Sequence, residues 1–242
     1  MTTRIEKLPR VRRLIAQRMQ ESLAGSAQLT SVVEADLTAI MDLRETMAAR
    51  WKSENGASLS PLAFVARATC LALGRHERLN ATLDLDQGEI ALPDHVNLGL
   101  AVETPAGLMV PNIKGAQGLD VGAMALAIDG IAARTRARKI GLEDIEGGTF
   151  TVTNTGSRGS MLDTPILNPP EVGILAVGSV VRRPIAVGPR GNESLVFRDI
   201  ANLCLTYDHR LVDGADAARF LVDVASVLAT HDFAHELETV DA

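Results

Sequence analysis

Aromatic side chains are scarce in this chain: one Trp, one Tyr and five Phe among 242 residues. A core must therefore be filled by Leu, Val, Ile and Ala. Cysteine is rarer still. Cys70 and Cys204 stand alone in apolar runs, which excludes a disulfide framework and predicts buried thiols in a reducing compartment, the cytoplasm by default. No apolar run approaches the roughly 20 residues that a membrane span needs. The basic N-terminus is not followed by an apolar segment, as a secretory signal would be. Basic residues are outnumbered, 24 to 30, for a formal charge of −6. A chain of that sign is a poor generic partner for nucleic acid or an anionic membrane. There is no Gly-x-x-x-x-Gly-Lys phosphate loop, and the histidines at 76, 95, 209, 231 and 235 form no ligand-spaced set with the cysteines, so no metal site is expected.

The length and the 46% hydrophobic content suit one large α/β domain or two small ones, with a sizeable core. Charge is unevenly placed. Arg4, Lys7, Arg10, Arg12, Arg13 and Arg18 face only Glu6 in the first 20 residues, whereas Asp232, Glu236, Glu238 and Asp241 meet no Lys or Arg after Thr230. The basic start reads either as a solvated arm or as a subunit contact. Apolar spacing predicts helices over 10–23, 38–52, 61–73, 120–139 and, as the last, 214–228. Asn55-Gly56 stops the second, because both residues accept positive φ at low cost, and Ser60-Pro61 caps the third. Alternation and β-branched residues predict strands over 29–36, 96–102, 108–113 and 149–153, then two long antiparallel strands over 172–187 and 194–207. Thr104-Pro105-Ala106-Gly107 predicts the turn between the second and third of these, 96–102 and 108–113. The expectation is an α/β fold whose sheet is mixed and flanked by helices.

The sharpest local feature is Tyr207-Asp208-His209-Arg210-Leu211-Val212-Asp213-Gly214, between an apolar strand and a helix. Polar groups on a turn between rigid elements are well placed to act. An imidazole, ordinarily of pKa ~6.5, accepts a proton near neutral pH. Asp213 is positioned to orient that turn through backbone amides or an arginine, and Gly214 to supply a backbone angle that other residues resist. From spacing alone, a histidine at a strand end is more often a satisfied polar residue than a catalyst.

Asp-His-Arg-x-x-Asp-Gly resembles the motif of the dihydrolipoyl acyltransferases of 2-oxoacid dehydrogenase complexes, and the resemblance runs along the chain. Arg12-Arg13-Leu14-Ile15-Ala16-Gln17-Arg18-Met19 resembles that family's opening helix, and Glu34-Ala35-Asp36 its first strand. Asn97-Leu98-Gly99-Leu100-Ala101-Val102 with Gly107-Leu108-Met109-Val110-Pro111 resembles its central hairpin. Gly147-Gly148-Thr149-Phe150-Thr151-Val152-Thr153-Asn154-Thr155-Gly156 resembles its second active-site loop, with Pro165-Ile166-Leu167-Asn168-Pro169-Pro170-Glu171 after it. The resemblance implies a chloramphenicol acetyltransferase-like fold and a single catalytic domain over 1–242, with 1–25 as an N-terminal helical arm.

It also implies chemistry. His209 would act as general base on the thiol of coenzyme A or of dihydrolipoamide, Thr153 would steady the carbonyl oxygen, and Asp213 would orient the site. The substrates would be acetyl-coenzyme A and a lipoyl group carried by a separate lipoyl domain. That domain is not found in this stretch, so Met1 is expected to start an excised core. Implied partners are the 2-oxoacid decarboxylase and dihydrolipoyl dehydrogenase subunits. Implied assembly is a homotrimer with active sites between subunits. The acidic, sparsely apolar end Glu236-Leu237-Glu238-Thr239-Val240-Asp241-Ala242 makes the family's 24-subunit cube doubtful. The stretch 157–170 looks most like pyruvate-complex, acetyl-transferring members; succinyl- and branched-chain-transferring members share the catalytic motifs. A hydrolase would need a Gly-x-Ser-x-Gly nucleophile turn, which is not present. A purely structural core subunit would be suggested by an altered histidine, and His209 is intact.

Overall fold

The computed structural model describes residues 2–105 and 107–238. The chain lays down α1 (Arg10–Gly25), β1 (Gln28–Asp36), α2 (Thr38–Asn55), α3 (Pro61–Leu73), β2 (Thr82–Asp84), β3 (Glu89–Ala91), β4 (Leu98–Leu100), β5 (Val102–Thr104), β6 (Gly107–Met109), β7 (Asn112–Ile113), α4 (Val121–Arg136), β8 (Phe150–Asn154), β9 (Gly173–Val177), β10 (Val181–Val187), β11 (Ser194–Asp208), α5 (Gly214–Thr230) and α6 (Phe233–Glu238). The main sheet runs β1-β11-β9-β8-β4-β7, with β10 also on β11. The pairs β4–β8 and β8–β9 are parallel and the others antiparallel, so the sheet is mixed.

Strand alternation sends Phe150, Val152, Leu203, Leu205 and Tyr207 to one face, where α3 and α5 pack. The few aromatics are concentrated there. Phe150 lies 5.8 Å from Phe220 of α5, and Phe64 of α3 meets Phe233 edge-on at 5.2 Å. Each such ring withdraws enough apolar area to contribute roughly 2–3 kcal/mol. Cys70 and Cys204 are free and buried.

Gly56 takes the left-handed conformation at the end of α2, φ 69°, as its sequence predicts. Ser60 stands at the cap of α3, but its hydroxyl makes no capping bond there. Asp120 caps α4 by accepting from Ala123 N at 2.7 Å.

Three strand expectations change. The segment 172–187 is two strands, because three residues after Val177 oppose two on β11, a bulge at Gly178–Val180. The loop from Ser160 causes it: Ser179 N donates to Ser160 O, and a Cβ on Gly178 would stand 2.1 Å from Met161 O. The predicted central hairpin is likewise split. Pro111 offers no N–H, so β4–β7 stay in the main sheet while β5–β6 form a separate ribbon. Ala106, at its turn, lies outside the described residues. The hairpin β2–β3 was not expected, and 214–230 is not the last helix, since α6 follows with Phe233 and Leu237 buried. Helix α1 buries only Ser22, and Val11, Leu14 and Leu23 remain exposed.

Candidate active site

The turn after β11 is built around Asp208. As the last strand residue it faces away from the helices and is buried, 3% exposed. Its carboxylate accepts from Arg210 Nε at 2.9 and 3.0 Å, from Arg210 Nη2 at 2.6 Å, and from the backbone amides of Arg210 and Ala27. Its carbonyl accepts from Leu211 N and Val212 N. Burial alone would raise this carboxyl, but the bonds from Arg210 and Ala27 outweigh it and hold the group below its ordinary value. Asp208 therefore fixes the turn on which His209 sits.

His209 donates its backbone N–H to Ala27 O at 2.8 Å, which anchors the turn to the start of β1. Its side chain is 39% exposed, with Nδ1 3.9 Å from Asp213 Oδ1 and its ring 5.8 Å from that of Tyr207. Asp213 itself is 82% exposed at the cap position of α5 and makes no capping bond. The expectation that Asp213 orients the turn through amides or an arginine is thus corrected: within the chain Asp208 fills that place. Gly214 needs correction too. It has no positive φ, and a Cβ there would meet nothing nearer than Tyr207 Oη at 3.5 Å.

Thr153 is on β8, half-buried, and points to the face away from the helices together with Thr151. The register sets its distance from His209. Thr153 pairs with Ala176, which pairs with Cys204, five residues before His209 and two strands across. That is about 17 Å along the sheet and about 10 Å across it. The structure brings His209 and Asp213 together and keeps Thr153 at a remote end. Arg134, in the last turn of α4, is bound to Asp144 at 2.7 Å.

A cavity of about 450 Å³ opens beside the turn, lined in part by Arg18, Glu21, Pro170, Glu171, Asp208 and Arg210. Glu171 ends the family-like stretch 165–171, in which the resemblance assigns it no role. It is 4% exposed, accepts from Thr151 Oγ1 at 2.6 Å and from Asn168 Nδ2 at 2.9 Å, and burial pushes its carboxyl up to about 7 against those bonds. The available signal was one acidic residue wedged between Pro169-Pro170 and an apolar strand. Among the described residues no group of three or more His, Cys, Asp or Glu is disposed to hold a metal ion.

Comparison with known proteins gives this arrangement a context. The family model "2-oxoacid dehydrogenases acyltransferase (catalytic domain)" matches residues 1–235. The dihydrolipoyllysine-residue acetyltransferase component of the pyruvate dehydrogenase complex of Corynebacterium glutamicum is 41% identical, over 96% of this chain and 34% of that protein. The dihydrolipoyllysine-residue succinyltransferase component of the 2-oxoglutarate dehydrogenase complex of Haemophilus influenzae is 35% identical, over 91% of this chain and 53% of that protein. The chain thus spans a third to a half of these relatives.

Among solved structures, a probable dihydrolipoamide acetyltransferase of Listeria monocytogenes superposes with TM-score 0.88 at 33% identity, covering 94% of each chain. The Azotobacter vinelandii dihydrolipoamide acetyltransferase gives 0.87 at 30%, covering 97% and 94%; a serine, a histidine and an asparagine were investigated for their role in its mechanism. The cubic core of a pyruvate dehydrogenase multienzyme complex gives 0.87 at 29%, with the same coverage. Chloramphenicol acetyltransferase, 14% identical with TM-score 0.50 over 88% of this chain and 94% of its own, shares the fold.

Proposed function

The chain belongs to the catalytic-domain family of the 2-oxoacid dehydrogenase acyltransferases, and from that premise we propose that it moves an acetyl group between a dihydrolipoyl thiol and the thiol of coenzyme A. The observation that carries the reading is the half-exposed imidazole of His209, held by a turn whose carboxylate is already committed to Arg210. A thiol is only a few per cent ionised near neutral pH, so a base must take its proton as it attacks. His209 accepts that proton, and sulfur adds to the thioester carbonyl. The tetrahedral oxyanion collapses by expelling the second sulfur, which takes the proton back from the imidazolium. The Thr153 hydroxyl donates to the oxyanion, a contribution of about 100–1,000-fold in rate. Asp213, 3.9 Å from Nδ1, orients the ring. The histidine and asparagine of the Azotobacter enzyme stand four positions apart, as His209 and Asp213 do, which supports the pairing.

Separation of His209 from Thr153 along the sheet supports a site shared between copies of the chain, hence a homotrimer. Higher identity to the acetyl- than to the succinyl-transferring relative supports acetyl as the group moved. The lipoyl group would come from a lipoyl domain, and the decarboxylase and dihydrolipoyl dehydrogenase would act before and after. A cytoplasmic complex suits the buried thiols, of which Cys70 is pushed up to about 12 by desolvation.

Assay of acetyl transfer from acetyl-coenzyme A to dihydrolipoamide tests the reading. His209→Ala is expected to lose at least about 100-fold in kcat with the assembly intact, and unchanged turnover refutes the assignment. Thr153→Val is expected to lose about 100–1,000-fold. Co-assembling the two inactive variants distinguishes shared from internal sites: shared sites regain about a quarter of wild-type turnover by random pairing, internal ones none. The acidic end favours free trimers over a cube, although 239–242 lie outside the described residues. Light scattering is expected to give the mass of three chains; a mass near about eight trimers overturns it.

A further inference from the structure

Three carboxylates are buried among the described residues. Asp208 faces Arg210 at 2.6 Å and Asp199 faces Arg182 at 3.0 Å. Glu171 is in no ion pair among the described residues. What stands opposite it is another acceptor. Asn112, 4% exposed, donates its Nδ2 to Ile145 O at 2.6 Å. That bond fixes the amide orientation and leaves Asn112 Oδ1 buried with no donor. Both Asn112 Oδ1 and Glu171 Oε1 lie within 3 Å of the point where a Cβ on Gly148 would stand, at 2.5 and 2.9 Å. A Cβ on Gly99 would meet Thr151 Oγ1 at 2.6 Å and the same Asn112 Oδ1 at 3.3 Å. Two glycines thus leave a space that two oxygens with lone pairs face. Leaving a buried acceptor unmatched is costly, and one proton on Glu171 satisfies both.

We propose that Glu171 is a positioning residue: as the neutral acid it donates to Asn112 Oδ1 and accepts from Thr151, and so locks β8 against the segment Asn168–Val172. The two ends of that lock lead to the reactive groups. Thr153 is two residues beyond Thr151 on the same face of β8. Val172, next to Glu171, accepts the backbone N–H of Asp208 at 3.0 Å, one residue before His209. The inference rests on the roles given to Thr153 and His209 above. Its charged surroundings do not supply the proton's equivalent. Arg18 and Glu21 of α1 line the adjoining cavity, where Arg210 is held by Asp208. On the Asn112 side, Lys114 donates to Glu146 O and Asp144 holds Arg134. The upward push on Glu171 from burial, to about 7, agrees with the geometry.

Glu171→Gln, Glu171→Ala and Thr151→Val in the whole chain test this by two readouts. The first is melting temperature from pH 4.5 to 8. A carboxyl protonated in the folded state and ionised in the unfolded one contributes stability that fades as pH rises from 4.5 to about 7. Wild type is expected to lose melting temperature across that window relative to Glu171→Gln. The second is acetyl transfer. Glu171→Ala is expected to lose tenfold or more in kcat with KM within twofold, and Glu171→Gln, whose amide both donates and accepts, to restore kcat to within threefold. Thr151→Val severs only the bond to β8 and is expected to match Glu171→Ala, which decides the matter if the alanine variant does not fold. A Glu171→Gln melting curve parallel to wild type at every pH, or wild-type kcat in Thr151→Val, overturns the proposal. If wild type transfers no acetyl group, the functional reading falls, and the melting comparison alone decides whether Glu171 holds the proton.

Discussion

Asp208 and Glu171 line one cavity and expose little surface, 3% and 4%, yet their carboxyls are pushed in opposite directions. Asp208 meets a guanidinium and two amides and stays ionised below its ordinary value. Glu171 meets a hydroxyl, an amide and an orphan carbonyl oxygen, and its carboxyl rises to about 7. Glu171 is the more deeply desolvated and faces no cation, whereas Asp208 has Arg210, so depth and partners together set the sign. A charged acceptor suits the turn, because it gathers Arg210, Ala27 and the backbone around His209. A neutral acid suits the sheet interior, because it must donate as well as accept.

The largest expected break in that contrast is Asp208→Asn. The amide presents donors to Arg210 and Ala27, which are themselves donors, so stability is expected to fall by about 2–3 kcal/mol, and kcat tenfold or more as His209 loses its seat. The pH dependence carries the sign. A carboxyl whose folded value is depressed contributes stability that is present above its ordinary 3.8 and lost as pH falls through the lower folded value. The wild-type advantage over Asp208→Asn is therefore expected to be full at pH 7 and to shrink in acid, the reverse of the Glu171→Gln comparison. A wild-type advantage that persists undiminished in acid removes Asp208 from its ionised role.

Local signals made much of this fold legible. Asn55-Gly56 and Ser60-Pro61 mark the helix boundary where it falls, because those residues act on their own backbone. The strand break at Gly178 could not be read, because its cause is the carbonyl of Met161, arriving from another loop. The same limit governs the site. His209 was legible from its flanking motif, but it has a carboxylate before it and another four residues after it. Only strand alternation and the position of Ala27 and Arg210 turn Asp208 inward and leave Asp213 outside. Glu171 could be given no role because Asn112 and Thr151, the residues that make its surroundings, are 59 and 20 positions away.

The smallest change that should separate the two carboxylates is a single methyl group. In Gly148→Ala the new Cβ enters the space between Asn112 Oδ1 and Glu171 Oε1, at 2.5 and 2.9 Å, and both side chains are buried. Overpacking of that kind is expected to cost about 1–2 kcal/mol. Pushing the two oxygens apart removes the shared proton, so the loss of melting temperature between pH 4.5 and about 7 should flatten, while the acid behaviour set by Asp208 stays as in wild type. Gly130→Ala is the control: it lies within α4 with nothing inside 4 Å of its Cβ position, and alanine there should stabilise by up to about 1 kcal/mol. Melting curves across pH for the two alanine variants make the check. If Gly148→Ala keeps the wild-type slope above pH 4.5, the Asn112–Glu171 contact is not where the proton resides, and the two carboxylates differ for some reason other than their partners.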